Sequence, residues 1–121
     1  MLKGKKIVLG VTGGIAVYKA VDLVSKLRKE GADVRVVMTE SAAKFVTPLT
    51  FKEISGNTVA VSMWSEEQEF HVEHIALADW ADLMIIAPAT ANILAKAANG
   101  IADDLLSTVI LASKTPIVLC P

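Results

Sequence analysis

The stretch Ile7-Val8-Leu9-Gly10-Val11-Thr12-Gly13-Gly14-Ile15-Ala16-Val17-Tyr18-Lys19 decides how the chain is read. Ile7, Val8, Leu9 and Val11 form a short apolar run rich in β-branched residues, the pattern of a strand buried on both faces. Gly10, Gly13 and Gly14 crowd the turn that follows. A helical period then opens, with Ala16, Ala20, Leu23, Val24 and Leu27 three or four apart. Strand, glycine-rich loop and helix together aim backbone N–H groups and the positive end of a helix dipole at one point, a ready site for an anion. At Gly13 and Gly14 the missing Cβ atoms let a phosphate approach the main chain, with the Thr12 hydroxyl beside it. The glycine spacing is neither a dinucleotide fingerprint nor a Walker A loop. It favours a mononucleotide phosphate, and its structural alternative is a tight turn that binds nothing.

Outward from that turn, Glu30-Gly31 reads as a helix stop and Asp33–Met38 as a second strand. Strand, helix and strand this close in sequence make a βαβ unit, which requires a parallel sheet. Thr39 and Ser41 follow at the carboxyl end of the second strand, where open α/β sheets bind ligands. They are equally placed to cap the next helical turn. Pro48–Ile54 is an expected helix with Pro at its first position, closed by Ser55-Gly56-Asn57. Thr58–Met63 is a short strand candidate, and Trp64–Phe70 an acidic, solvated connection. His71 and His74 are three apart, but the chain has too few further Cys or His residues to complete a tetrahedral site, so no metal is expected. His74 opens an apolar helical turn that runs toward Leu83–Ala87, expected to be the most buried strand. Pro88-Ala89-Thr90-Ala91-Asn92-Ile93 is a second small-residue loop, leading into a helix over 91–98 that Asn99-Gly100 closes. Asp103–Ala112 is a helix with acids at its positive end, and Ile117–Cys120 begins a last strand.

With 121 residues, the chain is one domain of α/β class, a doubly wound parallel sheet with helices on both faces. Hydrophobic residues make up 53%, which suits a doubly covered sheet or a large subunit interface. No apolar stretch reaches the length of a membrane span, and a net charge of −1 gives no reason to expect nucleic acid or an anionic membrane. The single cysteine, Cys120, excludes an internal disulfide and fits a cytoplasmic location. The sequence stops just after the last strand, where a functional loop would follow, so it reads as a domain cut short.

Five stretches together resemble one family. They are Gly13–Lys19, Met38–Ala42, His74–Asp82, Pro88–Ile93 and Asp104–Thr108, in the family's order. The family is the flavin-dependent cysteine decarboxylases, and the resemblance is strongest to the decarboxylase half of the bacterial bifunctional phosphopantothenoylcysteine decarboxylase/phosphopantothenate–cysteine ligases. The resemblance implies FMN as cofactor, held by Gly13, Gly14, Ile15 and Ala16 with Thr39 and Ser41. Thr90, Ala91, Asn92 and Ile93 match a Pro-Ala-Ser-Ala-Asn-Thr motif that lines flavin and substrate, with Ile93 in place of the usual Thr. His74 matches the catalytic histidine, and His71 does not. The implied reaction is decarboxylation of 4′-phospho-N-pantothenoylcysteine to 4′-phosphopantetheine, a step of coenzyme A synthesis. The cysteine side chain is first oxidised to a thioaldehyde, carbon dioxide leaves, and the enethiol is reduced again. A histidine titrating near neutrality suits a base in that step.

The resemblance further implies a homotrimer or dodecamer with FMN near subunit contacts, and a C-terminal ligase domain in the complete protein. The family's Pro-x-Met-Asn-x-x-Met-Trp motif and the product-protonating cysteine beyond it are both missing, and Cys120 precedes their place. Without them this stretch is expected to hold FMN but to lack turnover. Two rivals share features with it. Flavin prenyltransferases lack a histidine at the His74 position, and flavin-binding phosphatase-inhibitory subunits carry long acidic extensions.

Overall fold

The computed structural model describes residues 2–61 and 76–121. Four parallel strands, β1 (Lys6–Val11), β2 (Asp33–Met38), β3 (Leu83–Ile86) and β4 (Ile117–Leu119), form one sheet in the order β2-β1-β3-β4. Ile7 stands between Val34 and Leu83, and Gly10 between Val37 and Ile86. The helices are α1 (Val17–Lys29), α2 (Pro48–Ser55), α3 (Ala91–Asn99) and α4 (Leu105–Ala112), with a 3-10 turn at Ala42–Lys44. Residues 76–80 are also helical and lead into β3.

Strand alternation divides the apolar residues into two cores, one on each face of the sheet. Ile7, Leu9 and Val11 of β1 face the side covered by Val17, Ala20 and Val24 of α1 and Phe51 of α2. Val8, Met84 and Ile86 face the opposite side, where Leu77, Ile93, Leu105, Leu106 and Val109 cover them. Both faces are covered, as a doubly wound sheet requires. Gly10 sets how closely α4 can lie. A Cβ there would stand 2.6 Å from Leu106 Cδ1 and 2.7 Å from Ile86 Cδ1.

The helix ends follow the local chemistry of the sequence. Thr47 caps α2 through the Thr50 N–H, Pro48 takes the first helical position, and Gly56 at φ 74° closes the helix. Thr90 caps α3 and Gly100 at φ 68° ends it. Asp104 caps α4 in a reciprocal capping box with Ser107.

Two expectations need correction. Within the described part of Thr58–Met63 there is no strand, only an isolated bridge from Ala60 to Val37 at the β2 edge. The most buried strand is β1, not β3. Leu83 and Ile85 are only half-buried, whereas Ile7, Val8, Leu9 and Val11 are each at most 1% exposed. Both strands are interior to the sheet, but Leu83 and Ile85 lie at the margin of the core under α1 and α2, whereas Ile7 and Leu9 lie at its centre. The acidic stretch Trp64–Phe70, and both His71 and His74, lie outside the described residues.

Replacing Gly10 by Val should lower unfolding stability by about 1–3 kcal/mol through overpacking against Leu106 and Ile86. Urea denaturation checks this. Adding Leu106→Ala to Gly10→Val should cost less than the sum of the two single losses, because the two changes act on the same space.

Candidate functional site

The loops after β1 and β3 lie side by side at the carboxyl edge of the sheet. At this point the strand order turns: the chain leaves β1 toward β2 on one side and returns to β3 on the other. Ligands of open α/β sheets bind at such switch points. Thr12, only 2% exposed, joins the two loops. Its hydroxyl donates to the Pro88 carbonyl and accepts the Thr90 N–H at 3.1 Å. The Pro88 loop is held on its other side as well, since Ala89 N–H donates to the Cys120 carbonyl at 2.8 Å. The proton of the hydroxyl expected beside a phosphate is thus engaged within the protein.

A cavity of about 490 Å³ opens over these loops, within the usual range for a small-molecule site. Of the sequence-predicted residues, Gly13, Thr39, Ser41, Thr90, Asn92 and Ile93 line it. Gly14, Ile15, Ala16 and Ala91 do not. Ile15 is 81% exposed, pointing its side chain to solvent. His74 lies outside the described residues.

Each lining residue has a local reason for its place. Thr39 accepts the Ala42 N–H at 3.1 Å and so caps the 3-10 turn. Ser41 stands at the N-cap position of that turn without a side-chain bond. Thr90 likewise accepts the Ile93 N–H at 3.4 Å. Neither threonine hydroxyl donates a hydrogen bond among the described residues, so each retains a proton to offer. Ile93 is 2% exposed and belongs to the core, so its departure from threonine adds apolar wall rather than a hydroxyl.

The two loop glycines serve different ends. A Cβ on Gly13 would lie 2.5 Å from Ser41 Cβ, so its smallness lets the β1 and β2 loops touch. A Cβ on Gly14 would meet nothing within 4 Å, which leaves the main chain open to approach there. Next to Gly14, α1 begins with Ala16 at its N-cap, no side-chain cap and no acid in its first turn. α2, α3 and α4 are each capped by a side chain. The amino end of α1 therefore keeps its uncompensated positive potential.

Sequence reasoning missed one cluster in the wall. Lys96 on α3 reaches Asp103 at 2.8 Å and Asp104 at 3.5 Å. The hydrogen bond to Asp103 raises Lys96 above its ordinary pKa of 10.5 and holds Asp103 below 3.8. A last-turn lysine reads in sequence as a helix-dipole partner, and only the turn at Gly100 brings it to the acids.

A family model describing flavoproteins matches residues 1–121. This chain belongs to the flavoprotein family. It is 52% identical over 121 residues to the coenzyme A biosynthesis bifunctional protein CoaBC of Bacillus subtilis, covering 100% of this chain and 30% of that one. The chain thus spans about a third of the length of that relative. Among solved structures it is similar to the FMN-dependent cysteine decarboxylase SpaF, with TM-score 0.88 and 36% identity over 98% of this chain and 69% of the other. It also resembles a mutant PPC decarboxylase complexed with pantothenoylaminoethenethiol, with TM-score 0.73 and 30% identity over 93% and 64%. The flavoprotein fold is therefore the doubly wound α/β arrangement expected. Among the described residues no helix is long and apolar enough to cross a membrane.

Thr12→Val keeps the shape of the side chain but leaves the Pro88 carbonyl and Thr90 N–H without their partner. A loss of about 1–3 kcal/mol in unfolding stability is expected, measurable by urea denaturation. The Lys96–Asp103 pair carries a pH signature. A lowered carboxylate stabilises the fold above 3.8 and loses this as pH falls through its folded value; a raised ammonium stabilises it below 10.5 and loses this as pH rises through its folded value. The stability gap between the native chain and Asp103→Asn should therefore stay level from about pH 5 to 9 and close below about pH 4. Asp103 is 60% exposed, so solvent screening should keep the gap small. Thermal unfolding across that range measures it.

Proposed function

We propose that this chain is the FMN-binding domain of a phosphopantothenoylcysteine decarboxylase, which converts 4′-phospho-N-pantothenoylcysteine to 4′-phosphopantetheine in coenzyme A synthesis. The observation that carries this reading is the convergence of Gly13, Thr39, Thr90 and Asn92 on one cavity, in a chain half-identical to a coenzyme A biosynthesis protein.

The residues present fit FMN. The open main chain at Gly14 and the uncapped amino end of α1 suit a phosphate dianion. Gly13, Gly14, Ile15 and Ala16 would supply N–H groups, and Thr39 and Ser41 hydroxyls beside them. The one lysine among the described lining residues is already paired with two aspartates, so this anion is best met by neutral donors. Thr90, Ala91, Asn92 and Ile93 would border the ring system, with Asn92 offering both donor and acceptor and Ile93 an apolar surface.

When bound, FMN supplies the two-electron oxidation and the matching reduction that open and close the reaction. The chain's own work is to orient the cysteine end of the substrate, exclude water and move a proton. His74 is the proposed base, because an imidazole exchanges protons near neutral pH.

The same reading extends to partners. Ile15, Tyr18, Phe45 and Leu49 expose large apolar side chains along the β1 loop, α1, the 3-10 turn and α2. That supports burial between subunits of a homotrimer or a dodecamer. The longer relatives support a ligase domain on the same polypeptide, and a cytoplasmic setting suits the lone cysteine.

The complete protein should retain an oxidised-flavin absorption spectrum after FMN addition and desalting; loss of the bands would refute the flavin reading. In that protein His74→Asn should keep the flavin but reduce decarboxylation by about 10²-fold or more. Unchanged turnover would remove His74 from the mechanism.

A further inference from the structure

We infer that Lys96 is a positioning residue, which pins the connection between α3 and α4 and so sets the cavity wall against which the flavin binds. The flavin part of this inference rests on the function proposed above. The geometry is a clamp made by one residue. The Lys96 carbonyl accepts the Gly100 N–H at the end of α3 and the Ile101 N–H at 2.9 Å. Its ammonium group reaches forward to Asp103 and Asp104 at the start of α4. Main chain and side chain of one residue thus hold both ends of the connection. The lysine side chain is 17% exposed, whereas Asp103 and Asp104 are 60% and 36% exposed, so only the lysine end of the pairs is withdrawn from solvent.

Asp104 transmits the clamp to α4. Its Oδ1 accepts the Ser107 N–H at 2.8 Å and the Ser107 hydroxyl at 2.5 Å, while its Oδ2 faces Lys96. The Asp104 carbonyl accepts the Thr108 hydroxyl at 2.6 Å. One carboxylate therefore joins the cap of α4 to the last turn of α3. The next two residues, Leu105 and Leu106, form part of the cavity wall. Lys96 also balances charge. Without it the described lining residues would include Glu40, Asp103 and Asp104 and no cation, a poor surface for a ligand bearing a phosphate.

A direct contact between Lys96 and the ligand makes the opposite prediction for one variant. Removing the Asp103 carboxylate would free the ammonium group and keep or tighten binding. If Lys96 acts through the aspartates, the same change loosens the wall and weakens binding.

The experiment is FMN titration of the complete protein, read by flavin fluorescence, with amide exchange measured on the unliganded protein. Lys96→Met should raise the FMN dissociation constant on the order of tenfold. Lys96→Arg should restore most of the affinity, since a guanidinium spans the same acids. Asp103→Asn should weaken binding severalfold, and the double variant should bind no worse than Lys96→Met alone. Amides of Ile101 and Ser107 should exchange faster in Lys96→Met before any flavin is added. Tight binding by Asp103→Asn beside weak binding by Lys96→Met would overturn the inference in favour of direct contact. Native affinity in both, with only the melting temperature lowered, would reduce Lys96 to a stability residue. If the native protein takes up no FMN, the flavin reading fails by itself. Amide exchange then decides the clamp, and unchanged rates in Lys96→Met would refute it.

Discussion

The buried hydroxyl of Thr12 ties together the two loops on which the site is built. It gives its proton to the loop after β3 and takes one from the amide of Thr90, so one side chain fixes two crossing points. Around it the main chain continues the same restraint. Ala87 donates to Gly10, Ala89 to Cys120 and Cys120 to Ile86. The loop from Ala87 to Thr90 is thereby locked between β1 and β4 before any ligand arrives. Buried polar groups are costly when unpaired, so this arrangement is specific: another hydrogen-bond pattern would leave a donor or acceptor stranded.

Small residues carry the same restraint outward. Gly10 lets Leu106 lie against β1, and Gly13 lets the first loop touch Ser41. Glycine in a nucleotide loop is readily taken as space for a phosphate, yet at Gly13 the space is already used by protein. Gly14 alone opens outward. The division assigns one glycine to assembling the site and its neighbour to reaching the ligand.

Much of the fold was legible because it depends on near neighbours. The limits of β2, Pro48 at the first position of α2, and the helix stops at Gly56 and Gly100 all follow from residues within one helical turn. The parallel sheet followed from the βαβ unit. What escaped depends on contacts between distant segments. Thr12 and Thr90 meet across seventy-eight positions, and nothing local distinguishes a structural hydroxyl from a ligand-binding one. Ala60 pairs with β2 by a single bridge, too little to complete a strand. Lys96 escaped for the reverse reason, since its local role at the end of α3 hid its longer reach.

The charges around the cavity bear on how an anion can be held there. Surface loops that bind phosphate through lysine or arginine work by attraction at a distance. Here the lining lysine is committed to two aspartates, and Glu40 adds a third acid at the rim. Long-range attraction is therefore weak or adverse, and affinity must come from short-range donors that match the ligand in place. Backbone N–H groups at the amino end of α1 and the hydroxyls of Thr39, Ser41 and Thr90 meet that need, because they carry directed dipoles rather than net charge. Directed donors discriminate by geometry, so they are useful only if their loops do not move. The Thr12 bridge and the Lys96 clamp supply that rigidity, which makes the binding surface depend on side chains already engaged within the protein.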